Sequence, residues 1–129
     1  MAKNAGAPGV HVTRSGLQYR ILHTGPVSGL RPKPADEVKV SYEGRLLDGQ
    51  VFDSSYARGM PVVMTLRDVV PGWVEALQLM RPGDEWLLYV PPSLAYGNKG
   101  AGPIPPGAVL TFKIELIDVL PDASSVGRA

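Results

Sequence analysis

The chain has 129 residues and a net charge of +1, which argues against nucleic acid or an anionic membrane as its main partner. It contains no cysteine, so disulfides and thiolate metal sites are excluded. The length predicts one domain, and no apolar run is long enough to cross a bilayer or to form a signal peptide. We therefore expect a cytoplasmic protein, or a periplasmic one if the chain is a truncated domain.

Short alternating segments predict strands near the N-terminus. Val10–Val12 has the pattern of a short edge strand, and residues 1–9 read as a tail. Leu17, Tyr19 and Ile21 alternate with polar residues, which predicts a half-buried strand with these three on its inner face. Residues 25–34 are rich in glycine and proline and predict a loop.

The next strand is predicted to turn back on itself as a hairpin. Its apolar face consists of Val38, Val40, Tyr42 and Leu46. The dipeptide Asp48-Gly49 is typical of a two-residue hairpin turn. Such a turn places Leu46 opposite Val51.

The same register brings Gly44 opposite Asp53, on the face that holds Tyr42. Because Gly44 has no side chain, the Tyr42 hydroxyl is within diagonal reach of the Asp53 carboxylate. Strict alternation turns Phe52 to the other face. The pattern leaves open which of Phe52 and Asp53 points inward, and a bulge or strand end near Ser54-Ser55 would admit both.

One segment predicts a helix. Apolar side chains recur at i, i+3, i+4 and i+7 in a stripe made of Trp73, Ala76, Leu77 and Met80. Pro71 suits the first helical position, and Val70 before it should be extended. Residues 81–84 end the helix. A helix with a wide apolar face needs a sheet to bury it.

The remaining strands are predicted around this helix. Alternating apolar residues mark 62–66, 86–90 and 110–116. Ser93 is expected to cap a single turn after the second of these strands. Residues 97–107 are rich in glycine and proline and too long for a tight turn, which suggests a functional loop.

These elements predict an α+β fold, an antiparallel sheet of five or six strands wrapped around one short helix. The domain is placed at residues 15–120. Residues 1–14 are expected to form a flexible N-terminal tail, and residues 121–129 a C-terminal tail.

Most kinds of catalytic chemistry find no support in the sequence. His11 and His23 are isolated, so we predict no metal site, and no glycine pattern fits a phosphate-binding loop. What remains is a set of apolar and aromatic residues with a few polar groups, namely Tyr42, Phe52, Asp53, Trp73, Tyr96, Ile104 and Phe112. Plain core packing also explains these aromatics, and Asp53 alternatively caps the turn at Ser54-Ser55.

Several separated motifs in this order resemble the FKBP family of macrolide-binding peptidyl-prolyl isomerases. They are Val-Ser-Tyr-Glu-Gly-Arg-Leu at 40–46, Asp-Gly at 48–49, Phe-Asp-Ser-Ser at 52–55, Pro-Gly-Trp at 71–73, Leu-Ala-Tyr-Gly at 94–97 and Ile-Pro-Pro at 104–106. The resemblance runs from about Leu17 to Val119. Details at 15–19, 85–86 and 90–92 are most similar to the catalytic domain of the bacterial macrophage infectivity potentiator branch, without its upstream dimerisation region.

The resemblance implies a half-barrel with a proline pocket between helix and sheet. Trp73 would form the floor, with Phe52, Val62, Val69, Val70 and Ile104 as further substrate-binding residues. The implied catalytic residues are Asp53, Tyr42, Tyr96 and Phe112. Asp53 would sit at the rim, held by Tyr42, while the Val70 N–H and the Tyr96 hydroxyl would donate to substrate carbonyls.

The implied activity is rotation of X–Pro bonds in peptides and unfolded proteins, without a cofactor. The alternative is a proline-segment binding module or a holdase chaperone with little turnover. The implied ligands include macrolides of the rapamycin class, held more weakly because Val62 and Met64 stand where relatives often have an aromatic residue. We expect a monomer.

Overall fold

The computed structural model describes residues 6–25, 31–46, 48–97, 99–100 and 104–120. Parts of the predicted tails and loops lie outside the described residues: 1–5 and 121–129 of the tails, 26–30 of the loop at 25–34, and 98 and 101–103 of the loop at 97–107. At the base of that second loop, the Gly107 N–H donates to the Gly97 carbonyl at 2.9 Å.

The described chain forms one antiparallel sheet and one α-helix, which confirms the predicted fold class. The strands are β1 (Val10–Val12), β2 (Gln18–His23), β3 (Glu37–Leu46), β4 (Val51–Ser54), β5 (Val62–Thr65), β6 (Glu85–Val90) and β7 (Leu110–Leu120). The helix α1 is Pro71–Leu79, and 3-10 turns occupy Leu66–Asp68 and Pro92–Leu94. Within the described ranges, no helix is long and apolar enough to cross a membrane.

The sheet is organised around β3. Its order is β1-β2-β6-β7-β3-β4, and β5 also pairs with β3. One edge of β3 pairs with β7 along its whole length, while the other is shared by β5 at 37–40 and β4 at 43–45. This sharing lets the described part of the chain hold seven strands, where the sequence predicted five or six.

The core lies between α1 and the inner face of the sheet, as the apolar stripe predicts. All four stripe residues are buried, although Met80 follows the last helical residue. Gly72 allows the helix to approach β6 closely, because a Cβ there would lie 2.7 Å from Val90 Cγ1. The first turn of α1 is therefore seated on the end of β6.

The prediction for β2 is wrong at Ile21, which is 43% exposed. β1 covers β2 only from Gln18 to Arg20, so Ile21 and the next two residues have no strand on that side among the described elements. Tyr19, on the same strand, stacks on Trp86 with ring centroids 4.2 Å apart and covers the indole.

The predicted register of the β3–β4 hairpin is half right. Gly44 pairs with Asp53 as expected, but Val51 pairs with Arg45 instead of Leu46. The Leu46 N–H donates to the Gln50 carbonyl, and the Gly49 N–H donates to the Leu46 carbonyl with Gly49 at φ +89°. The connection is thus one residue longer than a two-residue turn, and a bulge near Phe52 restores the Gly44–Asp53 pair.

The predicted cap at Ser93 is also wrong. The 3-10 turn begins after Pro91, and no side chain caps it. Ser93 lies inside the turn and is exposed. The extended backbone of Pro91, together with Pro92 at the first position of the turn, starts it without a hydroxyl cap.

Candidate active site

A cavity of about 320 Å³ opens between the start of α1 and the inner face of the sheet. Its walls are formed by Tyr42, Phe52, Asp53, Met64, Asp68, Val69, Val70, Trp73, Tyr96 and Phe112. Eight of the ten predicted site residues are in this wall, so the structure brings together residues from three strands (β3, β4 and β7), from the start of α1 with the two residues before it, and from the turn at Tyr96.

The other two predicted site residues lie outside the wall. Val62 pairs with Val40 in the sheet and is partly buried against the core. Ile104 is 6% exposed and belongs to the core cluster. Direct substrate contact by Val62 and Ile104 stays a prediction.

Trp73 forms the floor of the cavity from the first turn of α1. Its ring stands edge-to-face against Tyr42 (5.0 Å, 77°) and Phe112 (5.1 Å, 88°). The residue is 5% exposed, and its buried indole N–H has no hydrogen-bond partner among the described residues. Two perpendicular neighbours hold the indole in one orientation, which gives the cavity a rigid apolar base.

Phe52 enters the cavity because the hairpin is bulged there. The extra residue in β4 lies between Val51 and Asp53, and it turns both Phe52 and Asp53 toward the wall. Gly44 makes the space, since a Cβ at this position would lie 2.6 Å from Phe52 Cζ and 2.8 Å from Phe112 Cε1. The structure therefore resolves the ambiguity between Phe52 and Asp53 by admitting both.

Asp53 is held at the rim by two donors. The Tyr42 hydroxyl donates to Asp53 Oδ2 at 2.5 Å, as the register predicted. Arg58 Nη1 donates to Asp53 Oδ1 at 2.7 Å, and Arg58 Nη2 donates to the Tyr42 hydroxyl at 3.1 Å. The three side chains form a closed network.

This network favours an ionised carboxylate. Burial alone would raise the pKa of Asp53, but the hydrogen bonds from Tyr42 and Arg58 outweigh it and lower that pKa below its ordinary value. Burial raises the pKa of Tyr42, and the hydrogen bond to Asp53 raises it further. Tyr42 thus stays protonated and Asp53 charged at neutral pH.

Two donors are free to meet a ligand. Val70 precedes the helix in an extended conformation (φ −59°, ψ 150°), and its N–H makes no hydrogen bond within the described part of the chain. Its carbonyl accepts the Trp73 N–H at 2.9 Å, which fixes the peptide orientation. The Tyr96 hydroxyl likewise finds no partner among the described residues, and the side chain is 39% exposed.

The comparisons with known proteins agree with this geometry. A family model described as FKBP-type peptidyl-prolyl cis-trans isomerase matches residues 29–117. The chain belongs to the FKBP family. Its FKBP domain is 51% identical over 120 residues to the peptidyl-prolyl cis-trans isomerase Mip of Coxiella burnetii, and 48% identical over 121 residues to an FKBP-type 22 kDa isomerase of Escherichia coli.

These alignments cover 92% and 93% of this chain but 51% and 58% of the two relatives. The chain therefore spans about half the length of the curated relatives it matches. Among solved structures, the FKBP domain is similar to a peptidyl-prolyl isomerase from Pseudomonas syringae (TM-score 0.85, 40% identity), covering 92% of this chain and 86% of that one. FkpA from Escherichia coli gives a TM-score of 0.88 at 43% identity, covering 93% and 55%.

Sequence reasoning missed three residues of the FKBP site. Arg58 is five residues after Asp53, and a cation at the end of a turn that begins with a carboxylate was an available signal. Met64 was noted only as a departure from the family pattern, yet it lines the cavity. Asp68 also lines the cavity from the 3-10 turn before Val69, which the strand pattern at 62–66 did not indicate.

Proposed function

We propose that this chain catalyses cis–trans rotation of X–Pro bonds in peptides and unfolded proteins. The observation that carries the proposal is the cavity itself, a largely apolar space of about 320 Å³ with Trp73 as its floor and the free Val70 N–H beside it. Membership of the FKBP family supports the same activity.

The barrier to rotation is about 18–20 kcal/mol, because the planar amide is stabilised by resonance. A twisted amide has less charge separation and loses less on leaving water, so an apolar cavity favours it relative to the planar form. Trp73 would hold the proline ring while the preceding carbonyl turns. The Val70 N–H would anchor a neighbouring substrate carbonyl, so that rotation is confined to one bond.

The test is a tetrapeptide isomerisation assay with catalytic amounts of protein. We expect the wild type to accelerate exchange and Trp73→Leu to lose most of the rate. Trp86→Phe is the matched control, because Trp86 is buried in the same core but does not line the cavity. No rate above background, combined with delayed aggregation of an unfolded protein, would instead establish the holdase alternative.

We further propose that apolar residues before proline are preferred, because the wall is largely aromatic and aliphatic. Exchange rates for a series of X–Pro peptides test this preference. A clear preference for an acidic residue would contradict the proposed placement of the substrate.

A macrolide of the rapamycin class is the proposed competing ligand. Trp73 offers a flat apolar surface, and the Val70 N–H is placed to meet an ester or amide carbonyl above it. In the variant Trp86→Phe, Trp73 is the sole tryptophan, so its fluorescence should change with the same midpoint as loss of isomerase activity. Activity lost without a fluorescence response would place the ligand elsewhere.

We also propose that the chain acts as a monomer. Every residue of the cavity wall comes from one chain, so a second copy is not needed to complete the site. Sedimentation equilibrium at assay concentration should give the mass of one chain. A dimer whose dissociation abolishes activity would refute the proposal.

A further inference from the structure

Ser55 follows the last residue of β4, contacts the main chain of Tyr42 and is 1% exposed. The Tyr42 N–H donates to Ser55 Oγ at 2.7 Å, and the Ser55 hydroxyl donates back to the Tyr42 carbonyl at 3.3 Å. The Ser55 N–H donates to the same carbonyl at 2.9 Å. Both main-chain polar groups of Tyr42 are thus bonded to a single residue.

This contact falls where the sheet ladder stops. β4 ends at Ser54, which pairs with Glu43, so Tyr42 receives no further β4 residue in regular pairing. The Ser55 side chain takes over and supplies the acceptor that the Tyr42 N–H needs. Without it, that buried N–H would lack a partner on this side of β3.

The segment that holds the Tyr42 main chain through Ser55 also bonds to the Tyr42 side chain. Asp53 is two residues before Ser55, and its carboxylate accepts the Tyr42 hydroxyl. The segment 53–55 therefore bonds to Tyr42 at both ends, through the phenol hydroxyl and through the main chain. Because the ring is rigid, a small shift of the Tyr42 main chain would also displace its hydroxyl.

We propose that Ser55 is a positioning residue, which sets the placement of the Tyr42 hydroxyl against Asp53 at the rim of the cavity. The expected effect of Ser55 on catalysis rests on the proposed isomerase function. The expected effect of Ser55 on the geometry of the Tyr42–Asp53 hydrogen bond does not depend on that function.

The kinetic test is a double-mutant cycle. We expect Ser55→Ala to lower kcat/KM of the folded protein by about tenfold, mostly in kcat, since displacement of a positioned group is costly. In the background Tyr42→Phe, which lacks the hydroxyl, Ser55→Ala should change kcat/KM less than twofold. An equal loss in both backgrounds would show that Ser55 only supports the fold, and would overturn the proposal.

Two further variants serve as controls for Ser55→Ala. Ser55→Thr keeps the hydroxyl, and its extra methyl group can enter an adjoining cavity of about 260 Å³ that Ser55 lines with Met60 and Pro61. This variant should stay within about twofold of the wild type. Ser41→Ala is the matched control, because Ser41 is also buried and adjoins Tyr42 but makes no described contact with its polar groups. It should leave the rate unchanged.

A second readout does not depend on activity. With 13C-labelled tyrosine, the Tyr42 phenol can be titrated by NMR. The bond to Asp53 helps to raise the pKa of Tyr42, so Ser55→Ala should move the midpoint down toward the ordinary value. Ser55→Thr and Ser41→Ala should not move it.

An unchanged Tyr42 midpoint in folded Ser55→Ala would overturn the proposal even if the chain proved to have no isomerase activity. If Ser55→Ala does not fold, Ser55→Cys takes its place. The thiol keeps most of the packing but is a weaker donor and acceptor, so both bonds are weakened in the same direction.

Discussion

At the scale of single residues, the site depends on one charged group at the edge of an apolar cavity. Asp53 is 41% exposed and its partner Arg58 49%, so their ion pair lies largely in solvent. Such pairs add about 0–1 kcal/mol to stability. Loss of Asp53 should therefore affect activity, through the hydrogen bond to Tyr42, more than it affects the free energy of unfolding.

The first prediction follows directly. Asp53→Ala should lower kcat/KM clearly while reducing the free energy of unfolding by less than about 1 kcal/mol. Glu43→Ala removes a comparable surface ion pair with Arg45, and since neither residue lines the cavity it should leave kcat/KM unchanged. A loss of stability with unchanged activity per folded molecule would make Asp53 a structural turn residue.

The second prediction concerns pH. The pKa of Asp53 is lowered in the folded state, so its stabilising contribution is complete above the ordinary pKa of 3.8. That contribution is lost as the pH falls through the lower folded-state pKa. The difference in unfolding free energy between wild type and Asp53→Asn should therefore be constant near neutral pH and shrink only below 3.8.

Urea unfolding of both proteins from about pH 6 to about pH 2 measures this difference. A difference that stays constant down to about pH 2 would mean that the folded-state pKa is not lowered, and a wild type that gains stability relative to Asp53→Asn as the pH falls would mean that it is raised.

At the scale of elements, the contact between α1 and β6 positions the floor of the cavity. Trp73 follows Gly72, whose missing side chain lets the helix start rest against Val90. Val90 is fully buried and β-branched, so its methyl group has little freedom to move aside. The packing of the first turn of α1 against β6 is consequently sensitive to a single carbon atom added at Gly72.

The third prediction is that Gly72→Ala destabilises the protein, although alanine favours a helix by about 1 kcal/mol over glycine. The added Cβ would lie 2.7 Å from Val90 Cγ1, and overpacking of this kind costs about 1–3 kcal/mol. In the background Val90→Ala the contact with Val90 disappears and only the Leu94 carbonyl oxygen, 3.3 Å away, still lies close to the added Cβ, so Gly72→Ala should there cost much less than in the wild type. Chemical denaturation of the four proteins gives the comparison, and additive effects would contradict the close-contact explanation.

At the scale of the whole molecule, the N-terminal strand contributes no residue to the cavity wall. β1 pairs with β2 through three residues, and His11 stacks on Tyr19 at 5.0 Å. Neither residue lines the cavity. The turn at Ser15 is tied to the helix instead, through a hydrogen bond from its hydroxyl to Glu75 at 2.5 Å.

The fourth prediction is that residues 15–120 fold alone and keep the catalytic rate. Removing β1 should lower the free energy of unfolding by about 1 kcal/mol, the scale of a few cross-strand contacts. Thermal unfolding and the peptide assay, run beside the full chain, check both statements. Loss of cooperative unfolding in the 15–120 fragment would show that the first 14 residues belong to the domain.

Most of the sheet and the helix were predictable because their apolar residues follow a local period. The alternation in β6 and β7 and the stripe on α1 each report which face must leave water, whatever the partner is. The prediction for Ile21 was wrong, since burial of a strand residue also depends on how far the neighbouring strand extends. The prediction for Ser93 was wrong because two prolines had already determined the backbone of the turn.

By itself, the sequence determined the fold class, the helix, most strands and eight residues of the cavity wall, because period and motif are local properties of the chain. Only the tertiary structure decided that Phe52 and Asp53 both enter the cavity, since that depends on a bulge over Gly44 and on Phe112 across the sheet. The same holds for Arg58 and Ser55. Each acts on Tyr42 from more than ten residues away, and such contacts exist only after the strands have packed.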